Sequence, residues 1–184
     1  MSSGIIDIAD AITTVLNTAI ANDEFDAVNR IFLNRTGQFT ATRVYKDWAD
    51  DFEDIDDLSI DVIPVTSPND GAEVVELLSF QSLKAEPEID VAIRRRFKNA
   101  DRVRSGARTG RIRTDRIDEL VLLTEQIYQK LVGLRREDSI EIGDGRTAKW
   151  SRCEIRTLCD YWQLRQGNYL GVVRLTYMLA QCGS

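Results

Sequence analysis

EIDVAIRRRF, residues 88–97, is a stretch whose side chains sort by twos. Ile89, Val91, Ile93 and Phe97 fall on one side of an extended chain, and Glu88, Asp90, Arg94 and Arg96 on the other. That alternation is the period of a strand with one face on a core, so the segment is predicted to be a strand that turns its charges outward. The alternation ends at the arginines. Residues 94–116, RRRFKNADRVRSGARTGRIRTDR, hold ten of the chain's 24 Lys and Arg but only two acids, in a chain of net charge −6. Three readings compete for this stretch: a nucleic-acid grip, a phosphate loop, and a contact surface for another protein chain.

On the N-terminal side, LSIDVIPV (residues 58–65) sets Leu58, Ile60 and Val62 on one face, and Pro64 closes a second strand. QFTATRVYKD (38–47) alternates as well, with Phe39, Ala41, Arg43 and Tyr45 on one side. Around them VNRIFLNR (28–35) reads equally as a helical turn or an edge strand, SPNDG (67–71) as a turn, and AEVVELLSFQSL (72–83) as a strand in preference to a helix. Two stretches carry the helical period instead. Ile5, Ile8, Ile12, Val15, Leu16, Ala19 and Ile20 form one stripe over residues 5–21, with Ser2 or Ser3 as cap and Asp7 and Asp10 at the positive end of the dipole. Ile117, Leu120, Thr124, Ile127 and Leu131 form another over residues 115–134, capped by Thr114 or Asp115 and ended at Gly133. Two further strands are predicted at Thr147–Ile155 and Tyr169–Ala180. The sum is one α/β (α+β) domain over residues 1–184: a single mixed, mainly antiparallel sheet with two long helices packed on one face.

Composition narrows the function. A chain of 184 residues buries about 70% of its unfolded surface and needs no staple to fold. No apolar run approaches the roughly 18 residues of a membrane span, and the first ten residues hold acids without Lys or Arg, unlike a secretory signal. Cys153, Cys159 and Cys182 make neither a CxxC pair nor an even set, so free thiols in a reducing compartment are expected. Histidine is absent, which removes His-assisted nucleophiles and His-ligated zinc and leaves only carboxylate or lysine chemistry to an enzyme. No enzyme activity and no cofactor are expected.

Each short motif has a plainer reading than its chemical one. SGARTGR has Gly106 and Gly110 too close together for a phosphate loop and lacks the closing Lys-Ser/Thr; a flexible loop from strand to helix is the simpler account. DDFEDIDD, with Asp50, Asp51, Asp54, Asp56 and Asp57, offers carboxylates to a hard cation but lacks the central glycine and closing Glu of a calcium loop. It reads as a solvated acidic face. A DNA grip through about eight phosphates would give a log–log salt slope of about −7. Against it stand a pI of 4.8 and Phe97 as the lone aromatic of the basic stretch. An acidic patch and a basic patch on one chain suit head-to-tail contact between copies, which closes into a ring when the rotation permits. The candidate contact residues are therefore Arg94, Arg95, Arg96, Arg102, Arg104, Arg108, Arg111 and Arg113 with the five aspartates just named.

Taken in order, IIDIADAITTVLN, GQFTATRVYKDW, LSIDVIPVTSP, EPEIDVAIRRRF, DRIDELVLLTEQIYQKLVG and CDYWQLRQGNYLGVVRLTYML resemble the tail terminator (tail completion) proteins of long-tailed bacteriophages. The closing strand carries the resemblance furthest. The resemblance runs over nearly the whole chain, by pattern and order of segments more than by a unique motif. It implies a virion protein, assembled in the host cytoplasm, that forms a ring of six copies at the head-proximal end of the tail. Such a ring caps the tail tube protein, ends tube growth, meets the neck or connector and, in contractile tails, the sheath. DNA passes its lumen without specific binding, and no membrane is involved. A head–tail joining (neck) protein is the nearest alternative, and a DNA-binding protein using the basic stretch the next. The Arg-rich stretch and the acidic segment before LSIDV depart from many relatives of that family.

Overall fold

The structure is a computed structural model that describes residues 4–25, 40–44, 58–65, 87–105, 108–134, 140–141 and 147–180. The elements are α1 (Gly4–Ala21), β1 (Ala41–Arg43), β2 (Leu58–Val65), β3 (Glu88–Arg96), a 3₁₀ turn (Asn99–Asp101), β4 (Arg102–Ser105) and β5 (Arg108–Ile112). They continue with α2 (Thr114–Gly133), β6 (Ile140–Glu141), β7 (Thr147–Thr157), α3 (Tyr161–Gln166) and β8 (Asn168–Ala180). Six strands form one sheet in the order β1-β2-β3-β8-β7-β6, and β4 pairs with β5 in a separate hairpin. Only β1–β2 is parallel among the described pairs; every other is antiparallel. The fold is α+β.

Register explains where the core lies. Ile93 sits opposite Ile60 on one side and Gly171 on the other, and Val91 lies between Val62 and Val173. These residues and Ile89, Leu175, Tyr169 and Tyr177 share one face and one apolar cluster with the buried stripes of both long helices. From α1 come Ile5, Ile8, Ile12, Leu16 and Ala19; from α2 come Leu120, Leu123, Ile127 and Leu131. Both helices therefore pack on the same face, α1 over β1 to β3 and α2 over β7 and β8.

Asn17 fastens α1 to the sheet edge, donating from Nδ2 to the Ala41 carbonyl (3.1 Å) and accepting the Ala41 amide (2.7 Å). α1 also corrects an expectation: its 18 residues, at mean hydropathy 1.4, are long and apolar enough to cross a bilayer. In this fold its apolar stripe lies against the sheet. α2 begins one residue earlier than its sequence signals, with Arg113 at the cap position and no side-chain cap hydrogen bond. Neither Thr114 nor Asp115 plays that part; Asp115 instead pairs with Arg113.

The second face of the sheet departs from simple alternation. Asp61, Ile63, Ala92 and Arg94 are all buried there, so the centre of β3 is covered on both sides. The expectation that Arg94 faces outward into solvent is corrected accordingly. Charge on this face is matched within the sheet. Arg94 Nε donates to Asp61 Oδ2, and Asp61 Oδ1 accepts from Ser59 Oγ at 2.6 Å. One strand over, Arg174 forms a two-pronged pair with Asp90 (2.7 Å at both nitrogens) and reaches Glu88 at 2.8 Å.

Candidate functional site

The basic stretch is not a loop. Arg94–Arg96 finish β3, a 3₁₀ turn follows, and β4 and β5 pair as antiparallel strands that feed straight into α2. Gly110 lies within β5, where an added Cβ would collide with the Val103 carbonyl oxygen. Backbone closeness across the hairpin accounts for this glycine; the expected flexible loop gives way to a strand pair.

Asp101 organises the turn. It is buried, accepts the Lys98 amide (2.9 Å) and the Arg95 Nη2 (3.1 Å), and has Arg116 Nε 3.9 Å away. Its carbonyl also accepts the Arg113 amide (2.9 Å), which closes the base of the hairpin. Arg95 is thereby buried, its guanidinium 5.8 Å from the Phe97 ring centroid. Arg113 holds Asp115 through two hydrogen bonds of 3.0 and 2.5 Å and draws its carboxyl below the usual range; Arg116 bonds Glu119 at 3.0 Å.

The candidate residues thus separate. Arg94 and Arg95 are buried partners of Asp61 and Asp101 and belong to the interior of the fold. Arg113 is exposed but paired. Arg96, Lys98 and Arg111 are exposed, and neither they nor Arg102 form an ion pair among the described residues. Arg104 and Arg108 are placed only as hairpin backbone, in register with Thr109 and Ser105. Asp50, Asp51, Asp54, Asp56 and Asp57 lie outside the described residues.

The end of the sheet where β3 stops carries a feature that the apolar periods did not indicate. Arg96 pairs in register with Asn168, the first residue of β8, and the Phe97 amide donates to the Gly167 carbonyl (2.9 Å). Gly167, at φ 88°, ends α3, and Arg102 Nη2 lies 2.5 Å from where its Cβ would be. Hairpin and α3 are therefore neighbours. Asp160 caps α3 by accepting the Trp162 (2.8 Å) and Gln163 (3.0 Å) amides.

On this short helix Tyr161 and Trp162 stand 65% and 68% exposed, edge to face with centroids 6.0 Å apart. Arg165 reaches both rings, at 5.8 and 5.7 Å from their centroids. Leu158, just before α3, and Val103, on the hairpin, are exposed as well. Four of the five large apolar side chains left exposed among the described residues thus belong to these two neighbouring segments; Met178 is the fifth. The signal was present: Asp160 and Gly167 bracket six residues as cap and stop, a helix too short for periodicity to reveal.

Comparison with protein-family models, with curated proteins and with solved structures found no match to this chain.

Chemically the arrangement offers exposed aromatic rings with a guanidinium group against them. Among the described residues, no three carboxylates or thiols converge as a metal-binding group. Cys153 and Cys159 are unpaired thiols, and burial pushes Cys153 up to about 12, far from a thiolate at neutral pH. Cys182 lies outside the described residues.

Proposed function

We propose that the protein is a structural virion component that forms a ring at the head-proximal end of a phage tail tube, ends tube growth and joins the tail to the neck. It works through surfaces and not through catalysis, without a cofactor. The observation that best supports the reading is the gathering, at one end of an α+β core, of exposed aromatic rings and of cations that have no ion pair among the described residues, while the buried Arg94 and Arg95 are matched by Asp61 and Asp101. Trp, Tyr and Arg are the residues that dominate protein–protein contacts when they are buried on association. The order of segments that resembles tail terminators supports the same role, and a neck protein one ring higher would use the same kind of surface.

The test is tube length. Tail tubes assembled with the protein should stop at a defined length, and tubes assembled without it should run on. Arg96→Gln, Lys98→Gln and Arg111→Gln together should blunt that effect while leaving the fold intact. Tubes of the same length distribution with and without the protein would remove the reading. A DNA-binding role has one point in its favour, since Tyr161 and Trp162 supply the stacking platform that Phe97 alone does not. It requires tight, salt-sensitive binding to free DNA.

A further inference from the structure

We propose that Tyr161, Trp162 and Arg165, with the cations Arg96, Lys98 and Arg111 of the adjoining strand end and hairpin, form a docking surface for residues 47–57 of a second copy of this chain. The assignment deepens the ring reading and rests on it, by naming both halves of one contact.

The surface has the composition of a protein-binding centre. Its two rings are about two-thirds exposed, and the Arg165 guanidinium lies within about 6 Å of both ring centroids, at 5.8 and 5.7 Å. Four cations of the strand end and hairpin that adjoin α3 at Gly167, namely Arg96, Lys98, Arg102 and Arg111, have no acidic partner among the described residues. Carboxylates, together with apolar groups able to cover the rings, complement such a surface.

DWADDFEDIDD, residues 47–57, supplies both: seven acids, no Lys or Arg, and Trp48, Phe52 and Ile55 spaced among them. Carboxylates suit the two-pronged geometry of Arg, and large apolar side chains suit the Tyr161–Trp162 pair. One chain carries both halves, so the contact runs head to tail from copy to copy, the geometry that closes a ring. A nucleic acid would satisfy the cations but would meet a chain of net charge −6 that carries this acidic segment as well.

The experiment uses the full chain and a dye-labelled synthetic peptide of residues 47–57, read by fluorescence anisotropy. The peptide should bind at low salt and weaken as salt rises. Tyr161→Ser with Trp162→Ser should weaken binding by about tenfold or more, and so should a peptide in which Trp48, Phe52 and Ile55 are Ser. Arg165→Gln, which keeps both rings, is the second variant and should weaken binding too; circular dichroism verifies that each variant is folded.

No binding at low salt overturns the proposal, as does equal binding by the ring variants. A dT oligonucleotide that binds more tightly than the peptide, with the same dependence on Tyr161 and Trp162, would reassign the surface to nucleic acid. Neither arm needs a tail tube. A peptide that fails while tubes are still capped defeats the docking assignment alone; a peptide that binds while tubes run on defeats the ring reading alone.

Discussion

Asp61 and Arg94 face each other with 2% and 5% of their surfaces exposed. A buried pair of this kind adds little net stability over well-packed apolar residues, but removing one member strands the other charge at a cost of about 3–5 kcal/mol. Arg94→Met should therefore destabilise the chain by about that much in urea titrations, and Asp61→Leu with Arg94→Met should recover most of it. A loss below about 0.5 kcal/mol for Arg94→Met would mean that this arginine does not serve the interior. Exposed Arg96, by contrast, should tolerate Gln within about 0.5 kcal/mol. Three adjacent arginines thus differ in kind. Neutralising them together would confuse a folding defect with an assembly defect. Alternation predicts which face each residue takes, and it is silent on whether that face is covered.

Among the elements, α2 lies close over β8 because Gly171 leaves room for it. A Cβ there would stand 2.5 Å from Thr124 Oγ1 and 3.0 Å from the Tyr169 hydroxyl. The same hydroxyl donates to the Leu158 carbonyl at 2.6 Å and lies 2.9 Å from Thr124 Oγ1, so helix, strand and the approach to α3 meet at one point. Gly171→Ala should cost about 1–3 kcal/mol by overpacking. Adding Thr124→Ala should restore part of that, with a coupling of at least about 0.5 kcal/mol. Strictly additive costs in thermal unfolding would show that the helix does not press on this strand. Both long helices were legible because their stripes repeat over four or more turns. The start of α2 was not, since Thr114 and Asp115 carry the usual cap chemistry while the hairpin sets Arg113 in that position.

For the molecule as a whole, burial leaves a signature in pH. The Cys153 thiol is pushed up from 9.0 to about 12, chiefly by burial and then by Glu154. Burial also raises Tyr169 and Tyr177. In each case the folded chain keeps a proton that the unfolded chain releases. That contribution to stability is complete below about pH 9 and is lost as pH rises toward 12. The urea midpoint should fall steadily across that window, and Cys153→Ala should make the fall shallower. An unchanged slope in that variant would show that Cys153 does not titrate with unfolding. The same scale decides the charge question raised by the basic stretch. Four of its residues, Arg94, Arg95, Arg113 and Arg116, are matched by Asp61, Asp101, Asp115 and Glu119, which come from before, within and after it. What remains exposed is a smaller basic surface, and the exposed rings of the neighbouring α3, Tyr161 and Trp162, come from far along the chain.

Local periods of apolar side chains were enough to set the two long helices, the main strands of the sheet and the face on which the core forms, because each element reports its own buried side. Which arginines are interior, which are exposed, and that α3 stands beside the hairpin came from the folded chain alone. Pairing a charge or exposing a ring depends on residues brought together by register across β3 and β8, and no local period encodes that distance.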